Sequence, residues 1–344
     1  MKMCQAWGRQ GHDVTLFGKG RMKNAFEAYG VEPCFSLSLA PNIKLPLISG
    51  AVRLLNLALS MMKMPKPDIV YGRDPVALAL FTPRSIPVAF ELHQMPYLLV
   101  HRVALHFLKK RKGFKGIFCI SEALKGDFLK GSPKFPPEKL FVAHDGADLV
   151  QKKPVKAVLS GEAEAFSVGY VGSLHEGKGA GFILNIAEIT PDINFHICGG
   201  SPAQVKALQA HAPQNVYFYG HISHGKLSEY VAVFDVVLAP YQRVARIKSG
   251  QDISRWVSPM KLFEYMAAEK AILCSDLPVI REVLTHTENA MLLSPDDAKA
   301  WRDAIRHLKN NPEISQALAS QGFETLKKKY SWSMRAKNIL ESIA

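Results

Sequence analysis

Short runs of β-branched and aromatic residues alternate along the chain with longer stretches whose apolar positions recur every three or four residues. In the first half, Asp13–Phe17, Ile69–Tyr71, Val88–Glu91, Gly116–Ile120 and Leu140–Ala143 are predicted as strands. In the second half, the predicted strands are Ser167–Val171, Ile193–Ile197, Val216–Tyr219, Val236–Ala239, Ala271–Cys274 and Ala290–Leu293. Strand–helix alternation over the whole length predicts the α/β class, with parallel sheets and crossover helices in both halves. The expectation is two doubly wound domains facing each other across a cleft, with ligands at the carboxyl ends of the strands. The Pro- and Lys-bearing stretch Leu149 to Leu159 is the natural linker. It divides the chain into a domain over 1–155 and a second over 156–330, with a last helix over 331–344 packing back on the first. Gln5 to Phe17 reads as a helix end, a turn and a strand, so the chain begins inside a helix and a first strand with its loop is missing ahead of it.

Composition adds little to this picture and charge adds more. The 344 residues are 48% hydrophobic and 21% charged, ordinary values for two domains that each bury a core. The five cysteines, Cys4, Cys34, Cys119, Cys198 and Cys274, are scattered without metal-ligand spacing and read as buried thiols of a reducing, cytoplasmic compartment. The longest apolar stretch, Ala51 to Met62, is too short to span a bilayer and contains Arg53. The net charge is +13, and residues 1–160 hold 24 Lys and Arg against 11 Asp and Glu while residues 161–344 hold 19 of each. Two basic-apolar segments, Ile43 to Lys66 and Arg102 to Lys115, suit an anionic membrane surface, a polyanionic substrate, or a core helix followed by a solvated basic turn. No recognised nucleic-acid-binding motif accompanies the charge, so nucleic acid is not expected as a partner.

The chemistry concentrates in the second half. After the strand Ser167–Val171 come Gly172, Ser173, Leu174, His175, Glu176, Gly177, Lys178 and Gly179, with a helix expected from about Ala180. Glycines admit a ligand close to the backbone, the helix start offers amides, and Lys178 adds a charge, a combination able to hold a diphosphate. Farther on, Ser258-Pro259-Met260-Lys261-Leu262-Phe263-Glu264-Tyr265-Met266-Ala267 predicts a helix with Pro259 at its first position and Ser258 as its cap. Lys261 and Glu264 share a face near its start while Leu262, Phe263 and Met266 pack inward. That pattern serves a phosphate and a sugar hydroxyl, and equally an ordinary capped helix with a surface ion pair. Gly220, His221 and Ile222 can present backbone groups to a planar base, and equally read as a simple turn. Tyr241 and the basic positions Arg243, Arg246 and Lys248 occupy a loop able to fold over a phosphorylated ligand. In the first half, Glu91 and His93 end a strand two residues apart and point to one side.

Taken together, these pieces resemble the retaining family 4 (group 1) glycosyltransferases of the GT-B fold, two facing Rossmann-like domains. The resemblance runs over nearly the whole chain and is densest from Val168 to Val283. Besides the segments above it rests on Gly11 to Thr15, Pro67 to Pro75, Ile120-Ser121-Glu122, Asp145-Gly146-Ala147-Asp148 and Trp332. It implies a nucleotide sugar on the second domain and an acceptor on the first. Lys178 would then hold the diphosphate, Glu264 the ribose hydroxyls, Gly220 to Ile222 the base, and His93 the donor sugar near the reacting carbon. Gly172, Ser173, Tyr241, Ser258, Pro259, Met260 and Lys261 complete the implied donor site. The implied reaction is front-face substitution with retention, in which His93, Lys178 and Glu264 serve catalysis and no metal or other cofactor is expected.

Some positions depart from the family pattern. The first Glu of its Glu-x7-Glu pair is Trp256, the Arg often found after the phosphate-loop glycine is Ser173, and Glu269 and Ala271 replace a usual Gly and Pro. Arg243, Arg246 or Lys248 would restore the missing positive charge. The expected protein is a cytoplasmic glycosyltransferase, peripheral at the inner membrane face, acting on a lipid-linked or polysaccharide-precursor acceptor. Two other readings remain open from sequence: a nucleotide-sugar epimerase on the same scaffold, and a non-catalytic member that binds nucleotide sugar or a partner.

Overall fold

A computed structural model describes residues 1–19, 24–40, 65–96, 98–149, 155–161, 165–244, 252, 254–256 and 258–344. The basic helix expected within Ile43 to Lys66, the middle of the Leu149 to Leu159 linker, Arg246 and Lys248 lie outside the described residues. The chain is α/β, as its pattern predicts, and divides into two compact units: Met1–His144 with Arg335–Ala344, and Asp145–Met334.

The first unit opens with the helix Lys2–Arg9, followed by β1 (Thr15–Lys19) and β2 (Ser36–Ala40), which pair in parallel. β2 was not among the predicted strands, although Ser36-Leu37-Ser38-Leu39-Ala40 alternates strictly with the period of a strand. A four-stranded parallel sheet follows in the order β3 (Val70–Gly72), β4 (Val88–Leu92), β5 (Phe114–Cys119) and β6 (Leu140–Val142). Every residue of β4 is buried, because helices cover both of its faces. The helix Trp332–Ile343 supplies Ile339 and Ile343, which pack with Ala89 and Phe118.

The second unit holds a six-stranded parallel sheet made of β7 (Ser167–Val171), β8 (Asn194–Cys198), β9 (Val216–Gly220), β10 (Val236–Ala239), β11 (Ala271–Ser275) and β12 (Met291–Leu293). Their spatial order is β12-β11-β10-β7-β8-β9. The central strands read as unbroken apolar runs because each side chain has a core to enter on its own face. Val236, Leu238, Ala271 and Leu273 join Ile183, Phe195 and Trp301 on one side, while Val237, Ala239, Ile272 and Cys274 join Phe263, Met266 and Ile280 on the other. The strand order reverses between β7 and β10. Such a reversal parts the two connecting loops at the carboxyl edge and opens a crevice there.

Candidate functional site

The crevice at that switch point is a cavity of about 290 Å³. Gly172, Ser173, Lys178, Tyr241, Ser258, Pro259, Met260, Lys261 and Glu264 line it, together with Val171 and Leu227. The sheet topology brings the loop after β7 together with Tyr241 and the segment from Ser258 to Glu264, which lie more than sixty residues later in the chain. Gly172 leaves β7 with φ +151°, and a Cβ there would come within 3.0 Å of Lys261 Nζ. Gly179, at φ +84°, precedes the helix Ala180–Glu188 where a Cβ would meet the Pro240 carbonyl oxygen at 1.8 Å. Both turns therefore need glycine, and through them the phosphate-type loop sits against the loop that follows β10.

The helix Met260–Ala267 enters the cavity wall along its first turn. Leu262, Phe263 and Met266 are buried, and so is Tyr265. Tyr265 Oη accepts a hydrogen bond from the Val171 amide at 2.8 Å and lies 3.3 Å from the Leu238 carbonyl, so it ties the helix to β7 and β10 together. One expectation is corrected here. Pro259 is not the first helical residue but the cap, with φ −85° and ψ 80°, and Ser258 caps nothing: its Oγ is buried without a hydrogen-bond partner. The Pro259 backbone delays the helix by one residue, and the Met260 amide donates to the Ser258 carbonyl at 3.1 Å rather than to its hydroxyl.

Two cations share this space. Lys178 Nζ lies 5.3 Å and Lys261 Nζ 5.0 Å from the centroid of the Tyr241 ring, and Lys261 Nζ is 3.9 Å from that of Tyr170. Lys261 is half-buried as a residue, but its Nζ is closed to solvent and makes no hydrogen bond. Burial, with the Lys178 charge next in importance, brings its pKa down to about 7. Burial also lowers that of Lys178. Two ammonium groups facing aromatic faces and backbone glycines form a receptor for a multiply charged anion. Arg243, expected as a source of charge, instead pairs with Asp296 at 2.9 Å; Lys261 lines the cavity beside Gly172 and Ser173.

The base-binding expectation stands apart from this cluster. Gly220 ends β9 at φ +64° and its carbonyl accepts from the Gly199 amide at 2.6 Å, His221 is exposed, and Ile222 packs on the core; none of the three lines the cavity. In the first unit, Glu91 is buried at the end of β4, hydrogen-bonded by Tyr71 and His93 and 3.1 Å from Arg335. Burial by itself would raise the Glu91 pKa, but Arg335, His93 and Tyr71 together outweigh it and hold the carboxyl well below the usual range. His93 is thereby fixed in orientation by Glu91 while a third of its side chain stays exposed. Tyr170, Tyr265, Leu227 and Arg335 escaped sequence reasoning, since an aromatic or apolar residue in a strand or helix reads as core and an Arg in a terminal helix reads as surface.

Comparison with known proteins gives these geometries a lineage. Residues 165–311 match the family described as Glycosyl transferases group 1, and residues 1–151 match Glycosyltransferase Family 4. The O-antigen chain mannosyltransferase RfbU of Salmonella typhimurium strain LT2 is 32% identical over 246 residues, which is 67% of this chain and 63% of that protein's length. Among solved structures, HepE of Anabaena with UDP and glucose aligns with TM-score 0.71 at 17% identity, over 99% of this chain and 95% of its own. WaaG, a glycosyltransferase involved in lipopolysaccharide biosynthesis, aligns with TM-score 0.66 at 14% identity, over 100% and 94%. With one of these family models matched across each of its units and the same two-domain α/β fold throughout, the chain belongs to the GT-B glycosyltransferases.

Proposed function

We propose that the protein transfers a sugar from a nucleotide diphosphate sugar to a glycan or lipid-linked acceptor, with retention of anomeric configuration. The observation that carries this reading is the pair of lysines, Lys178 and Lys261, at the switch point of the second sheet. Breaking a glycosidic phosphate bond builds negative charge on the departing diphosphate, and preorganised cations in a poorly solvated cavity stabilise that charge more than the ground state. Lys178, and Lys261 once protonated, would supply that positive charge from the protein, and the proposed reaction is metal-independent. Glu264, on the same wall, is proposed to take the ribose hydroxyls, Gly220 to Ile222 the base, and His93 the donor sugar. The mannosyltransferase relative makes a mannose nucleotide the first donor to test, and the UDP-bound fold neighbour makes UDP the second.

The acceptor class is supported by the first unit. The helix Leu99–Lys109 buries Ala104, Leu105 and Leu108 yet leaves Leu99, Val100, Val103 and Phe107 exposed along one stripe, with Arg102 and Lys110 exposed beside it. An apolar stripe edged by cations is complementary to an anionic lipid surface, where a lipid-linked acceptor would lie. Among the described residues no helix is long and apolar enough to cross a membrane.

Calorimetric titration with UDP, GDP, ADP and their sugar conjugates tests the reading directly. Saturable binding of one nucleotide family is expected, and Lys178→Ala and Glu264→Ala are each expected to weaken it by more than about tenfold, roughly 1.4 kcal/mol. Unchanged affinity in both variants would remove the site assignment.

A further inference from the structure

Lys261 is the least satisfied charged group of the cavity. Its ammonium would carry three donors, yet Nζ has no hydrogen-bond partner and no access to water. The groups that face it are Lys178, which repels it, the rings of Tyr170 and Tyr241, and Cys274 and Glu264, whose ionised forms favour its charge less than burial opposes it. Burial pushes the Cys274 thiol well above its ordinary value, so it is neutral and offers no counter-charge at neutral pH. A desolvated ammonium beside a second ammonium is costly, and loss of its proton relieves that cost. Any anion entering between Lys178 and Lys261 reverses the balance, because it supplies both acceptors and opposite charge.

We infer that Lys261 is a proton-coupled anchor: its sealed and unpartnered amine captures one proton from solvent as the diphosphate of a nucleotide settles against Gly172. The inference rests on the nucleotide-diphosphate reading of the site and extends it with a linkage between ligand binding and protonation. The step balances as one solvent proton added to the Lys261 amine, with no bond made to the ligand. Geometry assigns the proton to Lys261 ahead of Lys178, because Lys261 Nζ alone of the two is sealed and unpartnered.

The full chain is titrated calorimetrically with UDP and with GDP in two buffers of different ionisation enthalpy, at about pH 8.5, where nucleotide phosphates are fully ionised. More than about half a proton taken up per bound nucleotide is expected there, falling toward zero near pH 6. Lys261→Arg, whose guanidinium is always charged, is expected to bind without proton uptake. Lys261→Met is expected to bind more than about tenfold more weakly. Lys178→Arg is expected to keep the uptake. Tight binding with identical heats in the two buffers would overturn the inference while leaving the proposed function intact, as would uptake that survives in Lys261→Arg. Absence of binding by either nucleotide to the folded wild-type protein would overturn the proposed function and this inference with it.

Discussion

His196 shows how a single side chain sets an acid limit on the second unit. It lies in β8, 1% exposed, stacked against Tyr217 and Phe234, with Nδ1 3.1 Å from Tyr219 Oη and Nε2 unpartnered. Burial lowers its pKa to about 4. Since the unfolded chain takes up the proton near pH 6.5 and the folded one resists it, the penalty is absent above that pH and grows as pH falls toward about 4. At pH 5 it amounts to about 2 kcal/mol. Urea denaturation of wild type and His196→Phe is expected to show stabilities that converge on acidification from pH 7.5 to 5 by that amount; parallel curves would assign the acid sensitivity elsewhere. None of this was legible in the sequence, where His196 is one residue of an apolar strand. Lys178 was legible because glycines and a helix start surround it, whereas the sealing of Lys261 depends on Tyr170 and Gly172, about ninety residues earlier.

At the scale of elements, the helix Met260–Ala267 packs on the core through Leu262, Phe263 and Met266 and is tied to two strands by one hydroxyl. Tyr265 Oη satisfies the Val171 amide at the end of β7 and approaches the Leu238 carbonyl in β10. Tyr265→Phe keeps the ring and leaves that buried amide unpaired, at a cost of about 1–3 kcal/mol. Denaturant unfolding is expected to register this loss, together with weaker nucleotide binding, because Lys261 and Glu264 ride on the same helix. A variant as stable as wild type would mean that the amide finds another partner. The strands of both large sheets were legible from apolar runs and period-2 alternation, with ends displaced by a residue or two. β2 was passed over, and Ser258 was given a capping role that the Pro259 backbone, which makes Pro259 the cap, denies it. Local pattern specifies that a helix starts here, but the residue at which it starts follows from how its chain leaves the preceding segment.

At the scale of the whole molecule, the chain closes on itself: Arg335 reaches the His144 carbonyl at 2.8 Å and Glu91 at 3.1 Å, so the last ten residues belong to the first unit. The same unit carries the surplus positive charge and the exposed stripe of Leu99, Val100, Val103 and Phe107. The full chain is expected to cosediment with vesicles containing phosphatidylglycerol and to be released by salt. Leu99→Ser with Phe107→Ser is expected to lower partitioning by at least about tenfold, since each lost side chain removes more than about 1 kcal/mol of burial. Equal binding to neutral vesicles, or none at low salt, would remove the membrane argument.

The amino-acid sequence by itself determined the α/β class, the parallel sheets, the glycine-and-lysine loop after Val171 and the family to which these belong. The class, the sheets and the loop are written in short-range pattern, where periodicity, turn residues and helix starts act within a few positions, and the family in a resemblance that runs through motifs along nearly the whole chain. Tertiary structure alone decided that Lys261 and Lys178 face one aromatic ring, that Tyr265 joins two strands, and that Arg335 returns to Glu91. Those juxtapositions arise where strand order reverses and where the chain re-enters an earlier sheet, and desolvation, which sets the chemistry of the site, exists only once distant segments have closed around a charge.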